Sequence, residues 1–544
     1  MRFFLKTMTL AVLALPCVAA ERFEISFSKE VSAAPLDGHV MLLISTDAPS
    51  EPRFRLSFTV KTAQAFGVDV DALAPGAPAV VDETTLGYPL DSLKDIPAGD
   101  YYVQGVFNIY ETFHLANGHT VKLPPDKGEG QHWQSKPGNL YTKTEKVHLD
   151  PASDQVIRLP LTEKVPDVPA AAPDTKWVKH VKMRSELLSR FWGQPVELGA
   201  VLLLPDGWEE HPKAHYPLIV YQSHFNRGLG IGFSTVPGPG YKFYQDWTAG
   251  RMPRVILMTI QHPTPYFDDS YAVNSANAGP YGDAITQELI PYVERTFRGI
   301  GQGWARAVYG GSTGGWEALA SQVFYPDFYN GAWVFCPDVV DFRAYMSMNL
   351  YDDTNAFWVE GPFAKVPRPA MRQPDGLVLS TMAQMNRFEL VQGTRGRSGE
   401  QLDAWQAYFS SVGEDGYPQP IFNKRTGVID HKVAEYWKEH YDLTHIIERD
   451  WKTLGPKLAG KLHVCVGDAD SFYLDHAVHL LHDFMETTTD PYYRGTFEFG
   501  QRKPHCYAGN FDPQVGLNQH YLPEMARHME ETAPKGADLS SWKY

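Results

Sequence analysis

The sequence predicts a two-domain chain, in which a β-sandwich of immunoglobulin-like kind precedes an α/β domain with a mainly parallel sheet. At 544 residues the chain is too long for one hydrophobic core. Residues 21–164 contain short runs of β-type residues separated by turns, whereas residues 179–544 alternate apolar strands with helices. Residues 165–178, with three prolines and a run of three alanines, have the composition of a linker.

The charge of the chain argues against some classes of partner. The net charge is −15 at pH 7, and no Lys- or Arg-rich run is present. Nucleic acids and anionic membranes bind positively charged surfaces, so we expect no nucleic-acid partner.

The first twenty residues have the pattern of a secretory signal peptide. Arg2 and Lys6 precede an apolar core at Leu10–Leu15, and small residues precede a cleavage position before Glu21. This segment is too short to span a membrane, and no long apolar run follows it. We therefore expect a secreted or periplasmic protein without an integral membrane segment in the mature chain.

Turn signals such as Asp37-Gly38 separate the short predicted strands of the first domain, as in β-sandwiches. The loop 123–141 is long and contains Trp133. It could border a binding site, or it could be a plain surface loop.

The second domain is expected to form a mainly parallel sheet covered by helices. A helix is predicted at 283–298. The predicted strands are Val201–Leu204, Leu218–Tyr221, Val255–Ile260, Ala305–Tyr309, Ala332–Cys336 and Leu462–Val466. About 125 residues separate the last two strands, far more than a crossover connection needs. We interpret residues 343–455 as a mostly helical cap inserted into this domain.

The segment Gly310-Gly311-Ser312-Thr313-Gly314 lies between a predicted strand and a helix-compatible stretch. The pattern G-x-S-x-G at such a turn is typical of a nucleophile elbow, although a glycine-rich surface turn gives the same letters. The tight turn requires small neighbours at Gly310 and Gly314 and exposes the Ser312 hydroxyl. The Thr313 amide would then begin an oxyanion hole at a helix N-terminus.

Nucleophilic acyl transfer needs a hydroxyl, a base that takes its proton and an acid that orients the base. With this type of elbow, the order along the chain is Ser, then Asp or Glu, then His. Asp470, just beyond a predicted strand, and His505, in a late loop, follow Ser312 in this order. Asp468 and Asp338 are rival positions for the acid.

Further motifs accompany this order. They are Tyr216-Pro217 before an apolar strand, Tyr281-Gly282-Asp283, the segment 287–294, the elbow, Asp470-Ser471-Phe472-Tyr473 and Pro504-His505-Cys506-Tyr507. Together they resemble the esterase D, feruloyl esterase and enterochelin esterase group of α/β-hydrolases, over about residues 195–340 and 460–525. The resemblance implies an α/β-hydrolase sheet, and enterochelin esterases also carry an N-terminal β-domain. It also implies Asp470 as the acid and, by register, the Phe225 amide as the second oxyanion donor.

These residues predict an exported serine esterase that hydrolyses a small-molecule or glycan-linked carboxylic ester through an acyl-enzyme intermediate. The expected substrate contacts are His224, His262, Asp269 and Trp316. The alternatives are a serine peptidase of the same fold and a non-catalytic, glycan-binding relative of the hydrolases.

No metal or cofactor is expected, and His476, His479 and His482 are interpreted as an exposed helix face rather than a metal site. After removal of the signal peptide, three cysteines remain. They could be buried free thiols, or Cys465 and Cys506 could form a disulfide.

Overall fold

The computed structural model describes residues 21–47, 50–59, 61–225 and 227–544. The predicted signal peptide, residues 1–20, lies outside these ranges. Among the residues described, no helix has both the length and the apolar character that a membrane crossing requires.

The N-terminal region, residues 21–164, is built from β-strands in two sheets. Its strands are β1 (Arg22–Ser26), β2 (Leu36–Ser45), β3 (Gln64–Leu73), β4 (Ala79–Val81), β5 (Gly87–Tyr88), β6 (Gly99–His114), β7 (Thr120–Leu123), β8 (Leu140–Tyr141), β9 (Glu145–Leu149), β10 (Val156–Pro160) and β11 (Glu163–Lys164). The smaller sheet has the order β10-β1-β4. The larger has the order β11-β8-β6-β2-β3-β5, with β7 and β9 also paired to β6. The strands agree with the all-β prediction for this region, and its immunoglobulin-like form stays a prediction.

The second region is organised around an eight-stranded mixed sheet. Its strands and hairpins are β12 (Val178–Ser185), β13 (Val196–Leu203), β14 (Leu218–Gln222), β15 (Ile256–Gln261), β16 (Asn274–Ser275), β17 (Gly279–Pro280), β18 (Arg306–Gly311), β19 (Ala332–Phe335), β20 (Trp358–Glu360), β21 (Lys365–Pro367), β22 (Pro369–Arg372), β23 (Val378–Thr381), β24 (Leu462–Gly467) and β25 (Thr496–Gly500). The sheet order is β12-β13-β15-β14-β18-β19-β24-β25. The β12–β13 and β13–β15 pairs are antiparallel and the other neighbours are parallel, so the predicted α/β class is confirmed.

Helices cover both faces of this sheet. They are α1 (Glu186–Trp192), α2 (Tyr241–Thr248), α3 (Tyr281–Asp283), α4 (Ile290–Phe297), α5 (Thr313–Phe324), α6 (Met382–Leu390), α7 (Gln401–Phe409), α8 (His431–Tyr441), α9 (Leu443–Leu458), α10 (Asp475–Thr487) and α11 (Leu517–Glu531). Alternate strand residues belong to two separate apolar cores: Val308 packs in the core that contains α5, and Tyr309 in the core that contains α2 and α11. A π-helical segment, Ala284–Leu289, joins α3 to α4, so the helix predicted at 283–298 begins at Tyr281.

The long insert lies between β19 and β24. It contains the helices α6 to α9 and two hairpins, β20–β21 and β22–β23, which the sequence did not predict. The predicted boundary at residue 455 falls inside α9, which continues to Leu458 and packs against α5. The end of the insert is therefore part of the helical layer on the sheet.

The N-terminal region contacts the insert through a polar cluster in which His39 and Arg397 are buried and Asp69 is partly exposed. His39 Nδ1 lies 2.7 Å from Asp69 Oδ1, and His39 Nε2 lies 2.8 Å from the Val391 carbonyl oxygen. Arg397 donates a hydrogen bond of 2.8 Å to Asp69 Oδ2. These contacts join the strands β2 and β3 to the segment between α6 and α7.

Candidate active site

Ser312 occupies the sharp turn between β18 and α5. Its φ and ψ angles are 57° and −125°, a strained conformation for a residue other than glycine. A Cβ atom on Gly310 would lie 2.3 Å from the Gly314 oxygen, and one on Gly314 would lie 2.1 Å from the Gln222 oxygen. Only glycine fits at these two positions, and the turn that they permit presents the Ser312 hydroxyl at the carboxyl end of the strands.

Ser312, His505 and Asp470 form one chain of hydrogen bonds. His505 Nε2 lies 2.8 Å from Ser312 Oγ, and His505 Nδ1 lies 2.7 Å from Asp470 Oδ2. Because a carboxylate can only accept, Nδ1 donates to Asp470 and leaves Nε2 to accept the serine proton. Burial disfavours the charged imidazole, but the hydrogen bond to Asp470, with a smaller contribution from Cys506, outweighs burial and raises the pKa of His505.

Backbone amides hold the Asp470 carboxylate in place. Asp470 is fully buried just after β24, and its Oδ1 accepts from the amides of Phe472 at 2.8 Å and Leu474 at 3.3 Å. Asp468, two residues earlier, is exposed and accepts from the Arg502 amide instead. The two carboxylates therefore have different partners although they are neighbours in the chain.

Asp338 is a second buried carboxyl beside Ser312. Its Oδ1 lies 3.5 Å from Ser312 Oγ, and its Oδ2 accepts from Tyr271 at 2.7 Å and from the Thr313 hydroxyl at 2.9 Å. Burial raises the pKa of Asp338, against the opposing effect of these hydrogen bonds. Within the described ranges, no hydrogen bond joins Asp338 to His505.

The two predicted oxyanion donors have different surroundings. Thr313 is the first residue of α5, so its amide has no acceptor within the helix. The Phe225 ring packs close to Gly130 and lines a neighbouring cavity rather than the one at Ser312. The roles of both amides stay predictions.

Of the four predicted substrate contacts, His224 lines the cavity at Ser312. Its Nδ1 lies 3.1 Å from Asp268 Oδ1 and 3.5 Å from Asp269 Oδ2, while its Nε2 lies 3.4 Å from the Thr313 hydroxyl. Burial favours the neutral ring, but the two acids outweigh burial and raise the pKa of His224 well above its ordinary value. His224 therefore borders the cavity next to the elbow, where Asp268 and Asp269 hold its ring.

The structure corrects the prediction of substrate contact for His262, Asp269 and Trp316. All three are at most 1% exposed, and the cavity at Ser312 is lined by other residues. His262 Nδ1 lies 2.5 Å from Ser270 Oγ and its Nε2 lies 3.6 Å from Glu317, and burial lowers the pKa of His262 to about 4. Trp316 packs among aromatic rings of the core. These three side chains are therefore buried in the core and do not line the cavity.

The cavity at Ser312 has a volume of about 500 Å³, and its walls come from three parts of the chain. The N-terminal region contributes Phe58 and residues 130–134, so the loop 123–141 borders the site. The sheet region contributes Phe267, Asp268, Phe472 and Leu474. The insert contributes Met346, Met385, Phe388, Glu389, Gly399, Glu400, Gln401 and Trp405.

Sequence reasoning missed most of this wall. The length of the loop 123–141 indicated that it could border a binding site, and its Trp133 does line the cavity. Trp133 Nε1 also donates a hydrogen bond of 2.8 Å to Gln392 in the insert. The insert, predicted as a cap, does contribute Phe388 and Trp405 to the cavity. The sequence does not identify which insert residues, or that Phe58, reach the cavity, because this depends on long-range packing.

The three cysteines within the described ranges are free thiols. Cys465 and Cys506 do not form the disulfide that the sequence left open. Cys336 and Cys465 are buried, as expected for free thiols, whereas Cys506 is exposed beside His505.

A mixed sheet with helices on both faces, a strained serine at a strand-to-helix turn and a histidine and an aspartate after later strands are the features of an α/β-hydrolase. Within this class, residues 195–414 match the model of the family described as "Putative esterase". The predicted resemblance to a group of esterases is therefore confirmed over about residues 195–340, and its second part, about residues 460–525, lies outside the match.

Distant similarities to solved structures are also present. A ferulic acid esterase aligns with 13% identity and a TM-score of 0.36, over 65% of this chain and 99% of its own. An S-formylglutathione hydrolase from Agrobacterium tumefaciens aligns with 12% identity and a TM-score of 0.35, over 66% and 97%. The fluorophosphonate-binding serine hydrolase FphF from Staphylococcus aureus aligns with 14% identity and a TM-score of 0.32, over 65% and 98%. With TM-scores below 0.5, these similarities carry no weight for function. No curated protein sequence matches the chain.

Proposed function

We propose that this protein is a serine esterase that hydrolyses carboxylic esters through an acyl-enzyme intermediate. The observation that carries the proposal is the hydrogen-bonded chain from Ser312 Oγ through His505 to Asp470, at the wall of a cavity large enough for a small substrate. The match of residues 195–414 to an esterase family supports the same reaction class.

In the proposed reaction, His505 Nε2 takes the proton of Ser312 as Oγ attacks the ester carbonyl carbon. The Thr313 and Phe225 amides stabilise the oxyanion, and His505 then gives the proton to the departing alcohol. A water molecule, deprotonated by the same histidine, attacks the acyl-enzyme and releases the acid. Asp470 keeps Nδ1 protonated throughout and so keeps Nε2 available.

The walls of the cavity favour an ester with an apolar or aromatic part. Phe58, Trp133, Phe388 and Trp405 border it, while His224 adds a polar group near the elbow. We propose a small-molecule or glycan-linked ester as the substrate class. The pattern of residues 1–20 supports export to the periplasm or the medium, where such esters are accessible.

The test of this function is the hydrolysis of a short p-nitrophenyl ester by the wild type and by Ser312→Ala. Loss of a nucleophile that acts as a unit with its base should lower kcat by about 10⁶. Circular dichroism and thermal melting should remain those of the wild type, because the alanine fills less space than the serine. A variant that keeps more than about one hundredth of the wild-type rate would rule out Ser312 as the nucleophile.

A further inference from the structure

Two cysteines that are far apart in the chain meet at the candidate active site. Cys336 directly follows β19, and Cys506 directly follows His505 in the loop after β25. The two sulfur atoms and a ring nitrogen of His505 all lie within 4.8 Å of one another. Neither spacing nor motif predicts this group, because 169 residues separate the two cysteines.

The donor set of this group is that of a soft metal ion. Thiolate and imidazole are the ligands that Zn²⁺ prefers, and three protein ligands leave a fourth position open. Two thiolates balance the charge of a divalent ion, so the complex is neutral and suited to a half-buried position. Its formation releases to solvent whatever protons the two sulfur atoms and the ligating ring nitrogen carry.

The two cysteine side chains need to move only slightly to bind one metal ion together with His505. Metal–ligand bonds of about 2.0–2.3 Å in a tetrahedral site place two sulfur atoms about 3.8 Å apart, compared with a present separation of at most 4.8 Å. Cys336 is buried, whereas Cys506 is exposed and can move by rotation of its side chain. Cys506 and His505 both line the cavity at Ser312, which provides a path for the ion.

We propose that Cys336, Cys506 and His505 form an inhibitory binding site for a thiophilic divalent metal ion such as Zn²⁺. The ion takes the lone pair of the imidazole that otherwise accepts the Ser312 proton, so the metal-bound protein cannot deprotonate its nucleophile. The proposed binding of the metal depends only on the three ligands and not on the esterase function. The inhibition rests on the proposed esterase function.

Direct binding is tested with Co²⁺ alone, added to protein kept reduced by a phosphine. A thiolate–cobalt charge-transfer band in the near ultraviolet should saturate at one ion per chain. It should also appear in Ser312→Ala, because catalysis plays no part in it. Cys506→Ser should weaken Co²⁺ binding by at least about tenfold, since even outer-shell partners of a metal are worth about 10–100-fold in affinity. Absence of the band from the reduced wild type would overturn the proposal.

The matched control is Cys465→Ser, which removes the other thiol that the structure describes. This variant should bind Co²⁺ like the wild type, and an equal loss in Cys465→Ser and Cys506→Ser would contradict the site. Substitution of the buried Cys336 would also disturb the packing around it. Cys506→Ser, at an exposed position, is therefore the variant that decides whether the site exists.

The inhibition is tested by Zn²⁺ titration of p-nitrophenyl ester hydrolysis, with each variant normalised to its own metal-free rate. A chelator should restore the wild-type rate, and the half-inhibiting Zn²⁺ concentration should rise at least about tenfold in Cys506→Ser but not in Cys465→Ser. Equal sensitivity of the wild type and Cys506→Ser would overturn the inhibitory role. A metal-free wild type without hydrolysis would instead refute the esterase function, and the Co²⁺ band would remain a separate test of the site.

Discussion

At the scale of single residues, two buried carboxylates lie close to Ser312 and His505, and they have different hydrogen-bond partners. Asp470 contacts His505 Nδ1 at 2.7 Å, whereas Asp338 contacts Ser312 and Thr313. Orientation of the base requires a carboxylate on the ring nitrogen that faces away from the serine. Asp470 meets this requirement, and we infer that Asp338 instead fixes the start of α5.

Asp470→Asn should therefore lose about 10⁴ in kcat, because an amide can stabilise the wrong tautomer of His505. Asp468→Asn, two residues away, should stay near the wild-type rate, since its carboxylate accepts from the Arg502 amide at the surface. Steady-state hydrolysis of a p-nitrophenyl ester measures both variants. The reverse ranking, or a comparable loss only in Asp338→Asn, would show that a different acid orients the histidine.

The core of the candidate site could be predicted from the sequence because its signals are local. The glycines around Ser312 mark the strained turn, and the positions of Asp470 and His505 after late strands follow a fixed chain order. His262 and Trp316 were misassigned, because adjacency to a strand end or to the elbow does not determine whether a side chain turns toward the cavity or the core. The Cys336–Cys506 pair depends on tertiary contact alone.

At the scale of elements, the elbow depends on the close approach of backbone atoms at Gly314. A methyl group there would lie 2.1 Å from the Gln222 oxygen of β14, and neither backbone can yield without moving the sheet. At Gly311, in contrast, a methyl group would meet its nearest atom at 3.7 Å, an ordinary contact.

Gly314→Ala should consequently lose most of the esterase activity and lower the melting temperature, because α5 must shift from β14. A shift of about 1 Å at the nucleophile costs on the order of 10² in rate. Gly311→Ala, in the same motif, is the matched control and should retain activity and stability. Similar activities for the two variants would contradict the close approach on which the elbow depends.

The secondary structure shows where sequence patterns carry information. The inner strands of the sheet were predictable because their apolar runs are buried on both faces, as in β18 and β19, whereas the edge strand β12 was not predicted. The exposed hairpin β20–β21 was not, because its residues lack the apolar alternation of a half-buried strand. The predicted end of the insert, at about residue 455, falls inside α9, which continues without a break to Leu458 in the layer that covers the sheet.

At the scale of the whole molecule, the N-terminal region and the insert together complete the cavity. Asp69 in β3 links them, because it pairs with both His39 and Arg397. Burial favours the neutral acid, but the hydrogen bond and charge of His39, followed by the charge of Arg397, outweigh burial and lower the pKa of Asp69.

Asp69→Asn should lower the free energy of unfolding by about 1 kcal/mol near neutral pH, because solvent weakens the hydrogen bonds of this partly exposed carboxylate. A carboxylate with a lowered folded-state pKa stabilises the fold above its unfolded-state pKa of about 3.9, and this contribution is lost as the pH falls toward the folded-state value. The difference in melting temperature between wild type and variant should therefore shrink from pH 7 to pH 3. Asp71→Asn, on the same strand but 82% exposed, is the control and should show little change. A difference for Asp69→Asn that stays constant with pH would contradict the ionic link.

The central claim, that Ser312 is a nucleophile activated by His505, is tested most directly by the intact mass of the protein after reaction with a fluorophosphonate. This probe forms a covalent bond with an activated serine and leaves ordinary hydroxyl groups unchanged. We predict one adduct per wild-type chain, located at Ser312 by peptide mapping, none on Ser312→Ala and strongly slowed labelling of His505→Ala. An unmodified wild type, or equal labelling of wild type and Ser312→Ala, would contradict the claim.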